Sequence, residues 1–443
     1  MWEVEGGKHR RLCHIPHTTS HIQVSGCNQI KEVANVTKIG RFPLIGLALL
    51  FLISAGCAKH VSECITPEDN PQHHYLKGME LVEQGNVDEA EGKFQRAITC
   101  EQGFGPAYSG LGIVNSEKAV AKYKAQKDAA YMKVDADKAA ESLKTSEKNA
   151  NTDEDAFAYH VAAIRSDMLL KPGKWLNDAE DHYKAAMKLK VDDRKLLYYD
   201  GREAAMYYMG RAYLEGKVFQ SARDRFADVI NEKVSSRWAP LAEKYWNKTD
   251  KIVRAMAGIT VGDVGKTIAT QESVTRADMA ALLVDELKVD KLFAGRIPSE
   301  SNLAKMKADF TPADVMASPF KGEILTLMKW GVRGLEPVYD ETTRAYLFRP
   351  DEPVTRKQFA MVLEDVLIKL TGDEKLASAY FGQDKSPFPD VAPSAAWYNA
   401  VMSVTTRSIM ETELSGDFRP DAVVDGAEAI LAIRVLRHRI NIN

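Results

Sequence analysis

Cysteine is scarce, five in 443 residues. That excludes a disulfide-dense secreted scaffold. No apolar run reaches the roughly 20 residues that a helix needs to span a bilayer, so a polytopic membrane protein is excluded as well. Neither sign of charge prevails: 59 Lys+Arg stand against 62 Asp+Glu, net -3. No global basic field therefore points to nucleic acid. Catalytic patterns are also missing. There are no paired carboxylates on a recognisable scaffold, no nucleophile elbow, no H-E-x-x-H and no Cys/His arrangement. Gly265-Lys266-Thr267 suggests a phosphate loop, but the pattern needs glycine five positions earlier, where Thr260 stands. The chain is read as a non-enzyme without cofactor or metal. What is present is ordinary globular material, 45% hydrophobic and 27% charged, in a length that allows roughly two to four domains.

One apolar segment stands out, the 14 residues Phe42 to Ala55. Lys38 and Arg41 precede it, and Ser54, Ala55, Gly56 and Cys57 follow. A basic start, a short apolar stretch and small residues describe a secretory signal. The run Ser54-Ala55-Gly56-Cys57 resembles a bacterial lipobox, which implies lipidation at Cys57. Ser54 departs from the usual Leu. Ala58, where an Asp retains lipoproteins in the inner membrane, suggests the outer membrane. Met1 to Asn35 sit oddly ahead of a signal, and Val36-Thr37-Lys38 would make a natural start. This stretch holds His9, His14, His17, His21, Cys13 and Cys27, whose spacing fits no zinc pattern. Without residues 1–56 the chain keeps 53 basic and 59 acidic residues, a net charge of -6. Cys64 and Cys100 then remain beside Cys57; they are able to pair in an oxidising envelope, and spacing alone does not say whether they do. The segments are thus 1–56, upstream extension and signal, and 57–70, a linker.

Residues 71–250 carry a helical repeat. Gly78 is followed by Leu81, Gly85, Ala90, Phe94 and Ala97, with Gly85-Asn86 as the intervening turn and Pro106 in the next one. Tyr108, Leu111 and Gly112 restart the pattern 34 residues on. It fades over 117–150, an Ala- and Lys-rich stretch that reads as one long polar helix or a helix pair. It recovers at Ala179, Tyr183 and Ala186, and is clear again at Tyr207, Gly210, Tyr213, Gly216, Ala222, Phe226 and Val229. This resembles the tetratricopeptide (TPR) repeat, which implies a stack of helix pairs with a partner-binding concave face, or a spacer.

Residues 252–440 carry a second repeat. Phe348-Arg349-Pro350-Asp351 recurs as Phe418-Arg419-Pro420-Asp421, and each precedes a helix start, at Thr355 and Asp425. Asp390-Val391 with Trp397 and Asp314-Val315 with Trp330 lie upstream, and the earlier copy has an insertion near 336–346. A worn copy has Val274-Thr275-Arg276-Ala277-Asp278 and, before it, a Gly262 to Thr267 turn. These strings resemble the S-layer homology (SLH) module, in three units at about 252–290, 308–370 and 386–438. The resemblance implies a pseudo-trimeric helical domain that binds cell-wall polymer, peptidoglycan or a pyruvylated polysaccharide. Thr275 with Asp278 and Thr355 with Gln358 suit capping boxes, and Asp425 with Glu428 suits the same role. Capping does not explain Arg276 and Arg356. A guanidinium beside a helix N-terminus suits a carboxylate, so these two are the candidate polymer-binding residues. Gly426 stands at the third such position. Trp330 and Trp397 are read first as packing residues, then as sugar platforms.

The fold class expected is all-α: a TPR-like solenoid followed by a pseudo-trimeric SLH domain. The function expected is that of a non-catalytic envelope lipoprotein gripping wall polymer, with the repeats as spacer or protein-docking surface. It would sit in the outer membrane facing the periplasm, or in a single-membrane cell on the surface. Its partners would be wall polymer, the membrane through the lipid and a protein on the TPR surface, with no nucleic acid. The second reading is a TPR adaptor for envelope secretion or export machinery.

Overall fold

A computed structural model describes residues 64, 66–232, 236–296 and 310–439. The apolar segment 42–55 and Cys57 lie outside the described residues, as do the cysteines and histidines of 1–35.

Local chemistry sets the first helices. Asn70 accepts the amide of His73 at 2.8 Å and starts α1, Pro71–Glu83, with Pro71 in the first turn where its missing N–H costs nothing. Gly85, at φ 78°, turns the chain into α2, Val87–Cys100. Then come α3, Gly105–Gln126, and α4, Ala130–Lys148, so the polar stretch 117–150 is a helix end and its partner helix. Pro106 lies in the first turn of α3 rather than in the turn before it. They are followed by α5, Asp153–Leu170, α6, Trp175–Lys188, α7, Glu203–Glu215, α8, Phe219–Glu232, and α9, Trp238–Met256.

Helices pack as consecutive hairpins: α1 on α2, α3 on α4, α5 on α6 and α7 on α8. The first helix of each hairpin also packs on the first helix of the next, and α9 closes the series against α7 and α8. Small residues permit the close approach. A Cβ on Gly78 would lie 2.5 Å from the Phe94 ring, one on Gly110 2.4 Å, and one on Gly210 2.7 Å from Phe226. Phe94 is thus wedged between α1 and α3. Gly112 meets Leu143 of α4 as Gly78 meets Phe94. Gly78 and Phe94 are 16 positions apart in sequence and Gly112 and Leu143 are 31, because α3 and α4 are long; this is why the spacing fades there. Cys64 and Cys100 form a disulfide that ties the segment before α1 to the end of α2.

The second half holds α10, Asp263–Ala269, α11, Arg276–Ala281, which continues as one π turn over Leu282–Glu286, α12, Val289–Arg296, and α13, Lys321–Trp330. A hairpin of β1, Val338–Asp340, and β2, Ala345–Leu347, occupies the insertion, antiparallel with Tyr339 opposite Tyr346. Next are α14, Arg356–Thr371, α15, Tyr398–Thr405, and α16, Gly426–Arg439. Helix dominates throughout the described residues.

Two apolar cores form. One lies within α1–α9; the other takes Phe219 from the start of α8 and otherwise lies within α9–α16. Helix α9 belongs to both, giving Trp238 and Ala242 to the first and Ile252 and Ala255 to the second. A single helix therefore crosses the boundary expected near 250, and the two halves share it.

Candidate functional site

The second half closes on itself through backbone. The amide of Val354 donates to the Val274 carbonyl at 2.9 Å, that of Val424 to Val354 at 3.0 Å, and that of Val274 to Val424 at 2.8 Å. Three segments of the same sequence pattern thus satisfy one another in a ring, directly ahead of α11, α14 and α16.

The corners beside this ring are alike in detail. Thr275 and Asp278 form a reciprocal capping box on α11, and Thr355 and Gln358 form one on α14. The Arg276 amide donates to Glu352 O and that of Ala277 to Pro350 O; the Arg356 and Lys357 amides donate likewise to Ala422 O and Pro420 O. Each helix N-terminus is therefore capped by the turn of the next unit. Asp314 accepts the amides of Phe348 and Arg349 at 3.1 and 2.6 Å, and Asp390 accepts those of Phe418 and Arg419 at 2.9 and 2.6 Å. These carboxylates pin two non-glycine residues in the left-handed region, Arg349 at φ 56° and Arg419 at φ 57°.

The two candidate arginines face inward. Arg276 is 5% exposed, and its Nε, Nη1 and Nη2 donate to Phe348 O at 2.7 Å, Gly334 O at 3.3 Å and Glu336 O at 2.9 Å. Burial lowers its pKa below the ordinary guanidinium value. Arg356 is 5% exposed; Nε donates to Phe418 O and Nη2 to Glu411 O, both at 2.6 Å, while Nη1 pairs with Glu428. Each guanidinium lies over the ring of the phenylalanine it bonds, 4.8 Å from the Phe348 centroid and 4.7 Å from that of Phe418. The expectation that Arg276 and Arg356 offer open forks to a wall carboxylate is corrected by these contacts. All three nitrogens of each buried guanidinium are already engaged, by carbonyls in Arg276 and by carbonyls and Glu428 in Arg356, so they staple one unit to the next.

The third corner explains Gly426. Its amide donates to Gln271 O at 3.0 Å, and a Cβ there would lie 1.8 Å from Ile268 O. The backbone at the end of α10 fills the place that the Phe-Arg-Pro-Asp turn holds elsewhere. An arginine has no room. Asp425 caps its helix as expected, accepting the Glu428 amide at 2.9 Å, but the Glu428 carboxylate turns to Arg356.

Other assignments shift as well. Residues Gly262 to Thr267 form the start of α10 rather than a turn, and Glu286 accepts the Gly262 amide at 3.0 Å, where a phosphate would have to sit. Trp330 is buried, edge-on to Phe293 at 5.4 Å. Trp397 is half-buried with the Lys357 ammonium 4.8 Å above its ring. Glu364, invisible to motif reading, is buried between α14 and α15. It takes Asn399, Ser403 and Arg333, and burial raises its pKa.

In the first half, the face shared by the first helices is occupied from within. The connection between α6 and α7 crosses the start of α5, where Asp153 and Glu154 accept the amides of Lys190 at 2.7 Å and Asp192 at 2.9 Å. It then inserts Tyr199, whose ring lies 6.0 Å from Phe157 and whose carbonyl accepts the Trp238 indole N–H at 2.6 Å. Arg237 donates to the Tyr198 hydroxyl at 2.8 Å. Glu83 of α1 takes both Arg165 of α5 and the Tyr208 hydroxyl of α7 at 3.1 Å. The cavity left beside Tyr75, Tyr198 and Tyr199 is about 30 Å³.

The S-layer homology domain family matches residues 255–280 and 387–430. No curated protein and no solved structure matches the chain. Over those two segments the chain is similar to modules that bind cell-wall polymers, which associates it with the cell envelope. The middle copy, 308–370, is unmatched, and it carries the β1–β2 insertion. Its corner nevertheless repeats the contacts of the matched third copy, Asp314 for Asp390 and Phe348 for Phe418.

Proposed function

We propose that this chain is a non-catalytic envelope tether. A lipid on Cys57 holds one end in the outer membrane, TPR-like hairpins over 71–250 act as the spacer, and three SLH units over 252–440 grip wall polymer as a pseudo-trimer. The observation that carries the reading is the SLH similarity at both ends of a module whose three units cap one another in a ring. The disulfide supports an exported chain, because such bonds persist in oxidising compartments. The filled inner face supports a spacer over a peptide receptor, since Tyr198 and Tyr199 already occupy the groove that an adaptor would offer. Polymer contacts then fall to residues other than Arg276 and Arg356.

The test is co-sedimentation of the full chain with purified sacculi, beside the same wall stripped of secondary polymer. Pelleting with both assigns peptidoglycan, and pelleting with the unstripped wall alone assigns an accessory polymer. Failure to pellet with either overturns the wall-binding reading.

A further inference from the structure

The basic end of α16 has no part in the ring. Arg437, His438 and Arg439 form its last turn, and with Arg434, Ser408 and Gly258 they line a cleft of about 860 Å³. No Asp or Glu is among the described residues that line it. This contrasts with a chain in which acidic and basic residues are nearly balanced, 62 against 59. The α16 residues that line the cleft lie 8 to 13 residues along the helix from the Gly426 corner, about 12–20 Å at 1.5 Å per residue. The cleft is thus separate from the ring and its arginine staples.

The cations divide into two roles. Arg434 donates to the carbonyls of Arg254 at 2.5 Å and Ala257 at 3.3 Å, which fixes α16 against the end of α9 and builds the cleft wall. The side chains of Arg437 and Arg439 make no hydrogen bond or ion pair with a described residue. The macrodipole favours cations at a helix C-terminus. That accounts for a basic last turn, but not for its convergence with Arg434 and the 257–260 connection on one acid-free cleft. Two guanidinium forks without a partner among the described residues, set over a hollow, suit planar oxyanions, which they bind bidentately.

We infer that this cleft is an anion-binding site, with Arg437 and Arg439 as the ligating residues and a carboxylate or phosphate group of the wall polymer as ligand. The identity of the polymer rests on the tether reading; the preference for an oxyanion rests on the cleft alone. The site would give the module a grip on acidic polymer that the buried Arg276 and Arg356 do not supply.

The experiment titrates the full chain with muramyl dipeptide, inorganic phosphate and uncharged chitobiose, by calorimetry. Either anion should bind while chitobiose does not; the stronger anion names the source, wall peptide or phosphorylated polymer. Arg437→Ala/Arg439→Ala should weaken that binding at least tenfold with the melting temperature unchanged, and Arg437→Lys/Arg439→Lys should retain part of it. Absence of binding by both anions, or equal binding by the Ala variant, overturns the site. Sacculus pelleting of the same proteins keeps the two ideas apart. A variant that pellets as well as the parent removes the cleft from wall binding, whereas a parent that does not pellet removes the tether reading and leaves the titration to decide the cleft.

Discussion

The two halves repeat by different physics. In the first, the repeat is a fit of large into small: Phe94 against Gly78 and Gly110, Phe226 against Gly210. In the second it is a set of directed bonds: three valine amides in a ring, two capping boxes, two aspartates on two left-handed arginines, two buried guanidiniums. Apolar fit is non-directional, so the first half can lengthen a hairpin and replace Phe94 with Leu143. Hydrogen bonds demand fixed distances and angles. The second half therefore keeps its corner bonds and takes its variation in the β1–β2 hairpin that leads into one of them, where Asp340 pairs with Arg349 at 3.3 Å, or by removing a side chain altogether at Gly426.

Substitutions should separate the two regimes. The largest effect is expected from Gly426→Arg, which restores the residue of the other two corners. Its Cβ would meet the Ile268 backbone at 1.8 Å, and backbone cannot step aside as a ring can. The second half should fail to fold, read as rapid proteolysis within 257–439 while 71–232 stays protected; a fully protected variant would show that α10 is not fixed there. Next is Arg356→Ala, which leaves the largely covered Glu428 without its buried cation and should cost about 3–5 kcal/mol in denaturant unfolding. Adding Glu428→Gln should recover part of that loss. Arg276→Ala strands only carbonyls and should cost about 1–3 kcal/mol, with no acidic partner whose removal would compensate. Equal costs, or no recovery, would break the distinction between the corners.

In the first half the effects should be milder. Gly78→Ala pushes a methyl to 2.5 Å from a Phe94 ring carbon, and a side chain can yield, so about 1–3 kcal/mol is expected. A loss beyond that would mean the stack is as rigid as the ring. The last change concerns pH. Asp167 of α5 is pushed up to about 7 by burial and by Asp178. The folded state then keeps a proton that the unfolded chain releases near the ordinary 3.8, so stability falls as pH rises from about 4 to 7. Asp167→Asn should raise the melting temperature at pH 8 and leave it unchanged at pH 3.5. A shift of equal size at both would assign the effect to packing.

The sequence was legible where one residue type meets one need. Gly78, Phe94, Gly210 and Phe226 mark helix contacts, Thr275 and Thr355 mark caps, and each is found in that role. The direction of a side chain was not legible. Arg276 and Arg356 lie one residue into a helix, which suits an outward fork and an inward staple equally; only the position of Phe348 O and Phe418 O decides. The reason for Gly426 at the third position was not legible, because nothing in its own string reveals the Ile268 backbone above it. The Tyr198-Tyr199 insertion was missed for a similar reason: a connection's aromatics carry no periodicity to show which face they fill.

The most direct test of a two-ended tether is sequential extraction of cells that express the full chain. Detergent alone should leave the protein with the sacculi, muramidase alone should leave it with the membrane, and only the two together should release it. Full release by either treatment alone would contradict the account.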